Sequence, residues 1–532
     1  MRSGLRLTSI MAISSLLLTA CGGGGGSGTT TPPTATPSPT PNSAACPTSG
    51  SLPTAAVVAT GIARRAPARV SAQPAYEPGA LAVTYDPARS GSQVDVAIAR
   101  LGPAQISDLD FDAIGVRNRI VRIDPAQTEK AMAALQAVPG VHSVSRIAYR
   151  HHLSVTSNDP YYLGFGAPAP YYETSSTPGQ WDMHATNVAG GWNAVTSSAP
   201  VVGTTAPIAI VDTGVDVTQP EMKGKVIRTR CFVTYPSGSA QSTGSYVTDT
   251  DGHGTNVAGI ASADTDNGIG FAGESYDAAI MAYRIFPSDP SGGCDISNPP
   301  AQCDSNTADE ASAINDAVAN GAKVISLSLG GSPPCGSSDP EYQAVENAIA
   351  HGVSVVAAAG NGDSNGVGLN ALDCPANDPG VIAVGASALN DSGTSIVEKV
   401  ASYSNYLTTR GNGAHGAYLI APGGDPMGSN DQDNLHWIEN IYSSTAVQFA
   451  SQACGPDYNG ADVGDCKILI AGTSQATPHV AGVAALIRAA RPSYTPAQVA
   501  AAICNSAVSI GSSKQGCGLL DAANAVVYAK SH

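Results

Sequence analysis

Beyond Asn158 the chain alternates between short, almost wholly apolar runs and longer segments with helical spacing. Ile208–Val211, Val324–Leu329, Val353–Ala358 and Val381–Ala386 read as strands. Thr307–Asn320, Tyr342–Ala350, Thr477–Ala490 and Pro496–Asn505 read as helices. Gly321 and Gly352 follow two of those helices, at the position where a helix turns off through a left-handed residue. Strands with no polar side must be covered on both faces, and the intervening helices supply the cover. The pattern predicts an α/β fold, a parallel sheet with helices on both faces, over residues 153–532.

Residues 72–152 follow a different rhythm. Ala80–Tyr85 and Arg119–Ile123 alternate as strands, Val94–Leu101 and Thr128–Val138 have helical spacing, and Val141–Val144 closes the set. With one further strand this is a small α+β domain of the ferredoxin-like kind. Residues 22–71 begin with a glycine block and pass into Thr/Pro/Ser-rich text that cannot bury enough apolar surface to offset chain entropy, which makes them a tether. Residues 1–21 carry Arg2 and Arg6 before an apolar stretch from Leu7 to Leu18, a secretory signal. Its end, Leu18-Thr19-Ala20-Cys21, resembles a bacterial lipoprotein lipobox, which implies either a lipid anchor on Cys21 or ordinary signal cleavage.

Composition narrows the function. The chain has 532 residues and a 42% hydrophobic content, enough for more than one packed domain. Its formal charge is −16, with five basic and no acidic residues in the first 72 positions and a net −21 after residue 157. A body that acidic repels phosphate backbones, so no nucleic-acid partner is expected, whereas hard cations such as calcium suit it. Past the N-terminus no stretch reaches the ~20 apolar residues of a membrane span.

Three segments carry chemistry. Ile208-Ala209-Ile210-Val211-Asp212-Thr213-Gly214 places an acid at the end of a buried strand, where an unpaired carboxylate is costly and where α/β sheets gather their sites. Asp251-Gly252-His253-Gly254-Thr255 frames a histidine with glycines that admit other backbone, at the start of a helix. Gly472-Thr473-Ser474-Gln475-Ala476-Thr477-Pro478-His479 sets a serine at a helix N-terminus, with Pro478 read as lying in the first turn. Each alone is compatible with a turn, a structural histidine or a capping serine.

Together, in the order Asp, His, Ser, they resemble the subtilisin-like serine peptidases over roughly residues 155–525. The resemblance implies an endopeptidase working through an acyl-enzyme, with Ser474 as nucleophile, His253 as base and acid, and Asp212 orienting the imidazole. Ala357-Ala358-Ala359-Gly360-Asn361-Gly362 matches the family's oxyanion loop and makes Asn361 a side-chain donor. Ser328, Leu329 and Gly330 match one wall of the primary specificity pocket, and Ala358 to Gly360 the other. Asp373 aligns with the pocket floor, where an acid would favour Arg or Lys at P1, unless the neighbouring Cys374 turns it outward. Asn256 and Gln475 stand where the family more often has His and Met.

The same resemblance makes 72–152 an inhibitory propeptide whose basic tail, Arg146 to His152, mimics substrate until autocatalytic removal. It implies a structural Ca2+ in the loop after the His253 helix, held by carbonyls of Thr265, Ile269 and Phe271 and the Asn267 side chain. Glu221 stands where the family usually has Asp, and Asp159 is a further acid; a plain Asp-Asn-Gly turn is the alternative. Polypeptide substrates, a monomer, and an exported lipoprotein precursor at the outer membrane or cell surface releasing an extracellular mature enzyme complete the expectation.

Eleven cysteines fit oxidising export better than zinc, for which no C-x-x-C pair is present. Spacing suggests Cys294–Cys303, Cys335–Cys374, Cys454–Cys466 and Cys504–Cys517, with Cys46 in the tether and Cys231 left as a buried thiol. Two rival functions bear on the reading. A catalytically dead surface-binding relative would lack one of Asp212, His253, Ser474 or Asn361, and all are present. An esterase of the α/β-hydrolase type needs G-x-S-x-G and the order Ser, Asp, His, neither of which occurs around Ser474.

Overall fold

A computed structural model describes residues 76–532 except 103–104, 112–115, 149–156, 158, 164–179, 196–201, 235–241, 247, 288–304, 334, 392–395, 412–415, 427–435, 447–453 and 455–465. The signal, lipobox, tether, Cys46, Arg150 to His152 and the Cys294–Cys303 pair lie outside the described residues. The chain divides into two compact units, one covering residues 63–153 and the other the remainder.

The smaller unit runs β1 (Tyr76–Tyr85), α1 (Pro87–Ala99), β2 (Gln105–Phe111), β3 (Val116–Arg122), α2 (Thr128–Gln136), β4 (Val141–Ala148). Its antiparallel sheet has the order β2-β3-β1-β4, the split β-α-β arrangement. Leu81, Val83 and Tyr85 point inward from β1 and meet Val94, Ile98, Ala131 and Leu135 of the helices, as the period-two pattern requires. The fourth strand is β2.

The larger unit opens with α3 (Pro160–Leu163), α4 (Trp181–Ala185) and α5 (Val188–Val195). There follow β5 (Ile208–Asp212), β6 (Val226–Val233), β7 (Ser242–Gly244), α6 (His253–Ser262), β8 (Ile280–Arg284), α7 (Thr307–Ala319), β9 (Val324–Leu327), α8 (Pro340–Ala350) and β10 (Ser354–Ala358). The last elements are β11 (Ile382–Asp391), β12 (Ile396–Val400), β13 (Tyr418–Pro422), β14 (Ile438–Ile441), β15 (Lys467–Ile470), α9 (Thr473–Ala490), α10 (Pro496–Ser506) and α11 (Ala522–Ser531). The main sheet has the order β12-β11-β10-β9-β5-β8-β6-β7, with β13 also on β11. Strands β6, β8, β5, β9, β10, β11 and β13 are parallel; β7 and β12 pair antiparallel at the margins.

Strand β5 shows why the sheet is covered twice. Ile208 and Ile210 enter one apolar core with α5, α9, α10 and α11, while Ala209 and Val211 enter the other with α7 and α8. All five residues of β5 are buried, so the absence of polar alternation reflects two buried faces. Strand order changes direction at β5, between β8 on one side and β9 on the other, and the carboxyl ends of β5, β9 and β10 meet there.

Helix starts divide into two kinds. Asn306, Asp339, Thr495 and Asp521 cap α7, α8, α10 and α11 with their side chains. Helices α6 and α9 begin at Gly252 and Gly472 with no side-chain cap. These two carry His253 and Ser474. Helix α9 starts at Thr473, four residues earlier than its apolar spacing suggested, and Pro478 lies inside it instead of in its first turn.

Candidate active site

Asp212 ends β5 and turns its carboxylate toward α6. Its Oδ1 accepts from His253 Nδ1 at 2.8 Å and from the Thr213 backbone N–H at 2.7 Å. The approach depends on glycine. A Cβ on Gly254 would stand 2.1 Å from the Gly214 carbonyl and 3.1 Å from Asp212 Cβ. Gly252 takes φ 103°, and a Cβ there would run into the Tyr442 ring. Asp249 ties the turn before His253 together, accepting from Thr213 Oγ1, the N–H groups of Asp251, Gly252 and Thr255, and Thr255 Oγ1. Burial alone would lower the His253 pKa, but Asp212, then Asp251 and Asp249, outweigh it and push the imidazole up to about 9.

Ser474 is the second residue of α9. Its Oγ donates to the Ser328 carbonyl at 3.0 Å, and no hydrogen bond joins it to His253 among the described residues. A hydroxyl can rotate about its Cα–Cβ bond, so that contact does not commit Oγ to one direction. Pro478 explains a second contact. Lacking an N–H, it leaves the Ser474 carbonyl, its partner four residues back, without an intrahelical donor. Ser328 Oγ fills that vacancy at 2.8 Å. Helix α9 is thereby tied to the segment after β9.

Asn361 follows β10. Its Oδ1 accepts from the Thr473 N–H and from Thr473 Oγ1, both at 2.9 Å, which directs the amide nitrogen away from Thr473. The Ser474 N–H meets no acceptor among the described residues. An uncapped helix start, a backbone donor and an oriented side-chain amide share one locality, the features that a developing oxyanion requires.

Gln475 Nε2 donates to Asn256 Oδ1 at 3.3 Å, and Asn256 Nδ2 to the Ile441 carbonyl at 3.1 Å. The two departures from the family pattern therefore pair with one another, joining the His253 helix to the Ser474 helix. Sequence separation of 219 residues concealed this.

Ser328, Leu329 and Gly330 leave β9 opposite Ala358, Ala359 and Gly360 at the end of β10. Asp373 lies between them: a Cβ on Gly360 would stand 2.3 Å from Asp373 Oδ2, and one on Gly330 would stand 3.2 Å from Asp373 Cβ. Asp373 Oδ1 accepts from Asn405 Nδ2 at 3.3 Å, and burial raises its pKa to about 6. The segment is pinned by reciprocal bonds between Gly331 and Cys374 and by the Cys335–Cys374 disulfide. Cys454–Cys466 and Cys504–Cys517 are also joined. Cys231 is disulfide-bonded too, which corrects its reading as a leftover thiol; the spacing of nearby cysteines could not show a partner distant in the chain.

Around the loop after α6, Asp159 accepts the N–H groups of Asp266, Asn267 and Gly268. Glu221 accepts from Asn267 Nδ2 and from the Phe271 N–H. Asn267 Oδ1 accepts from the Ile269 N–H, while the carbonyls of Thr265, Ile269 and Phe271 accept no hydrogen bond among the described residues. Among those residues no group of three or more His, Cys, Asp or Glu is placed to hold a metal ion, so any cation here would depend mainly on carbonyls and amide oxygen.

A carboxylate-held imidazole and a serine on an open helix start, at the carboxyl edge of a parallel sheet, define the class of serine endopeptidases. The subtilase (peptidase S8) family model matches residues 203–519, and the chain belongs to that family. It is 28% identical over 417 residues to a thermophilic serine proteinase of Bacillus sp. (strain AK1), covering 78% of each chain. It is 29% identical over 432 residues to an extracellular protease of Xanthomonas campestris pv. campestris, covering 74% of this chain and 60% of that one. Among solved structures, proteases from Pseudoalteromonas arctica match at a TM-score of 0.52 and 26% identity, over 70% of this chain and 100% of theirs.

Proposed function

We propose that this serine endopeptidase is exported as a zymogen and cleaves polypeptides after basic residues, with Asp212, His253 and Ser474 as its triad. The observation that carries the reading is the 2.8 Å Asp212–His253 hydrogen bond at the sheet edge where Ser474 opens α9. With substrate extended along Ser328–Gly330, His253 Nε2 takes the Ser474 proton as Oγ attacks the scissile carbonyl. Asp212 holds the tautomer and stabilises the imidazolium. The oxyanion accepts from the Ser474 N–H and Asn361 Nδ2. Collapse breaks the C–N bond, His253 returns the proton to the leaving amine, and water then hydrolyses the acyl-enzyme by the same route.

Three finer points belong to the proposal. Residues 72–152 serve as the inhibitory propeptide, which the split β-α-β fold and basic tail support. Export is supported by the apolar leader and the extracellular relative, with Cys21 as the anchor that maturation would leave behind. Calcium, when bound, would brace the loop after α6 as a hard cation. The unbonded carbonyls of Thr265, Ile269 and Phe271, with Asn267, Glu221 and Asp159 beside them, suit that role.

A P1 profile of the purified protease on a peptide library, with Ser474→Ala as control, tests the whole reading. Cleavage after Arg and Lys that vanishes in the variant is expected. Cleavage dominated by Leu and Phe removes Asp373 from the specificity pocket, and equal cleavage by the variant removes Ser474 from the chemistry.

A further inference from the structure

Beneath the nucleophile, α9 carries a second histidine bound to acids. His479 lies five residues after Ser474 and is completely buried, as is Glu274, with Asp182 1% exposed. His479 Nδ1 meets Glu274 Oε2 at 2.7 Å, and Nε2 stands 3.4 Å from Asp182 Oδ2. Glu274 Oε2 also accepts from Thr186 Oγ1, and its carbonyl accepts from Trp192 Nε1. The Glu274 N–H is tied to the Ile260 carbonyl of α6. No Lys or Arg is paired with any of the three residues among the described ones; the remaining titratable neighbour, His184, faces Asp182 and bonds the Tyr162 carbonyl.

We propose that the Asp182–His479–Glu274 cluster is a charged anchor that fixes α9 along its axis, making His479 a positioning residue for Ser474. Three ionisable groups buried together cost stability compared with apolar packing, so their presence calls for a return in geometry. An apolar contact tolerates a slide of a few tenths of an ångström; a ring hydrogen-bonded through Nδ1 to Glu274, with the Asp182 carboxylate of α4 facing Nε2 at 3.4 Å without a hydrogen bond, resists one. The helix is shaped to receive them. A Cβ on Gly482 would stand 2.5 Å from Glu274 Cβ, so glycine alone admits this carboxylate. Pro478 has removed one intrahelical bond just before His479, leaving the first turn dependent on outside contacts.

The charge follows from the surroundings. Burial lowers the His479 pKa, but Asp182 and Glu274 outweigh it and raise it to about 9. Burial raises Glu274, and His479 opposes the rise. Because the His479 pKa is raised on folding, the anchor's contribution is complete below the ordinary imidazole value and disappears as pH rises through about 9.

The inference rests on Ser474 being the nucleophile, and its test separates the two. Protease matured from the full chain would be prepared as Glu274→Gln and Asp182→Asn, with active sites counted by a covalent fluorophosphonate, and Ser474→Ala, which cannot mature itself, would be processed by an unrelated protease and repurified. For Glu274→Gln, kcat per titrated site should fall about 10- to 100-fold, the scale of a small misplacement of a reacting group, with KM nearly unchanged. Asp182→Asn, at the longer contact, should fall less. Nitrogen-15 NMR of labelled histidines in Ser474→Ala should show His479 as imidazolium at neutral pH, and Glu274→Gln should convert it to the neutral ring. Unchanged kcat per site with lowered Tm alone would reduce the cluster to a structural one. A neutral His479 in the parent would also overturn the proposal, even if the charge variants failed to fold. Activity surviving in Ser474→Ala would instead overturn the nucleophile assignment.

Discussion

Two histidines of this chain meet carboxylates at similar distance and are placed for opposite tasks. His253 has one acid on Nδ1, at 2.8 Å, its side chain is 19% exposed, and Nε2 has no hydrogen-bond partner among the described residues. His479 has acids at both nitrogens and no exposure. Both are raised to about 9, so affinity for a proton does not distinguish them. Access does. An imidazole that must give and take a proton needs one nitrogen left for substrate, whereas one enclosed on both sides can only hold its charge.

The sharpest way to break this contrast is to remove one acid from each histidine. Asp212→Asn keeps the shape but presents an amide to Nδ1, favouring the wrong tautomer; a loss of about 10⁴-fold in kcat is expected, the size seen when a triad aspartate is neutralised. Asp182→Asn on the other histidine should cost far less. Comparable losses in steady-state kinetics would mean that both histidines serve the proton transfer, and the distinction would fall.

The contrast also shows what the sequence could reveal. Asp212 and His253 stood out because each sits in a local frame, a buried strand ending in an acid and a histidine between glycines. Those frames are dictated by close approach, as Gly254 against the Gly214 carbonyl illustrates. Strands β5, β9, β10 and β11 were legible within a few residues because both faces are apolar. Pro478 was misplaced because its lost hydrogen bond is replaced by Ser328, 146 residues from Ser474, and no local pattern announces that. His479, Glu274 and Asp182 escaped notice for the same reason, Glu274 lying 205 residues from the histidine. Cys231 carries no local signal either, because it has no other cysteine within 60 residues and its disulfide partner is distant in the chain.

Asp373 lies against Gly330 and Gly360, between the ends of β9 and β10. Asp373 is raised to about 6 by burial, so it is ionised above that value and protonated below it. If it receives basic side chains, the ratio of kcat/KM for Arg over Leu at P1 should fall as pH drops through about 6. Asp373→Asn should lower the ratio by about 10²-fold above that pH and change it little below, roughly a charge-assisted contact of 1.5–3 kcal/mol. A ratio insensitive to both would place Asp373 among structural acids, beside Asp249.

The smallest effect expected is the most selective for the His253 environment. Asp251 accepts the His253 backbone N–H through Oδ1 at 3.1 Å, a bond that asparagine can keep, while its charge helps to raise the imidazole pKa. A general base must be neutral to act, so with His253 as that base the raised value should move the acid limb of kcat/KM upward. Asp251→Asn removes one negative neighbour and leaves Asp212 in place. The limb should therefore shift to lower pH, and activity on the acid side of the optimum should rise while the plateau stays near that of the parent. His479, remote from this charge, should keep its imidazolium signal in nitrogen-15 NMR. A limb that does not move would mean that Asp212 alone sets the basicity of His253. A limb that moves together with the His479 signal would mean that the two histidines titrate as one system, and their separate roles would have to be given up.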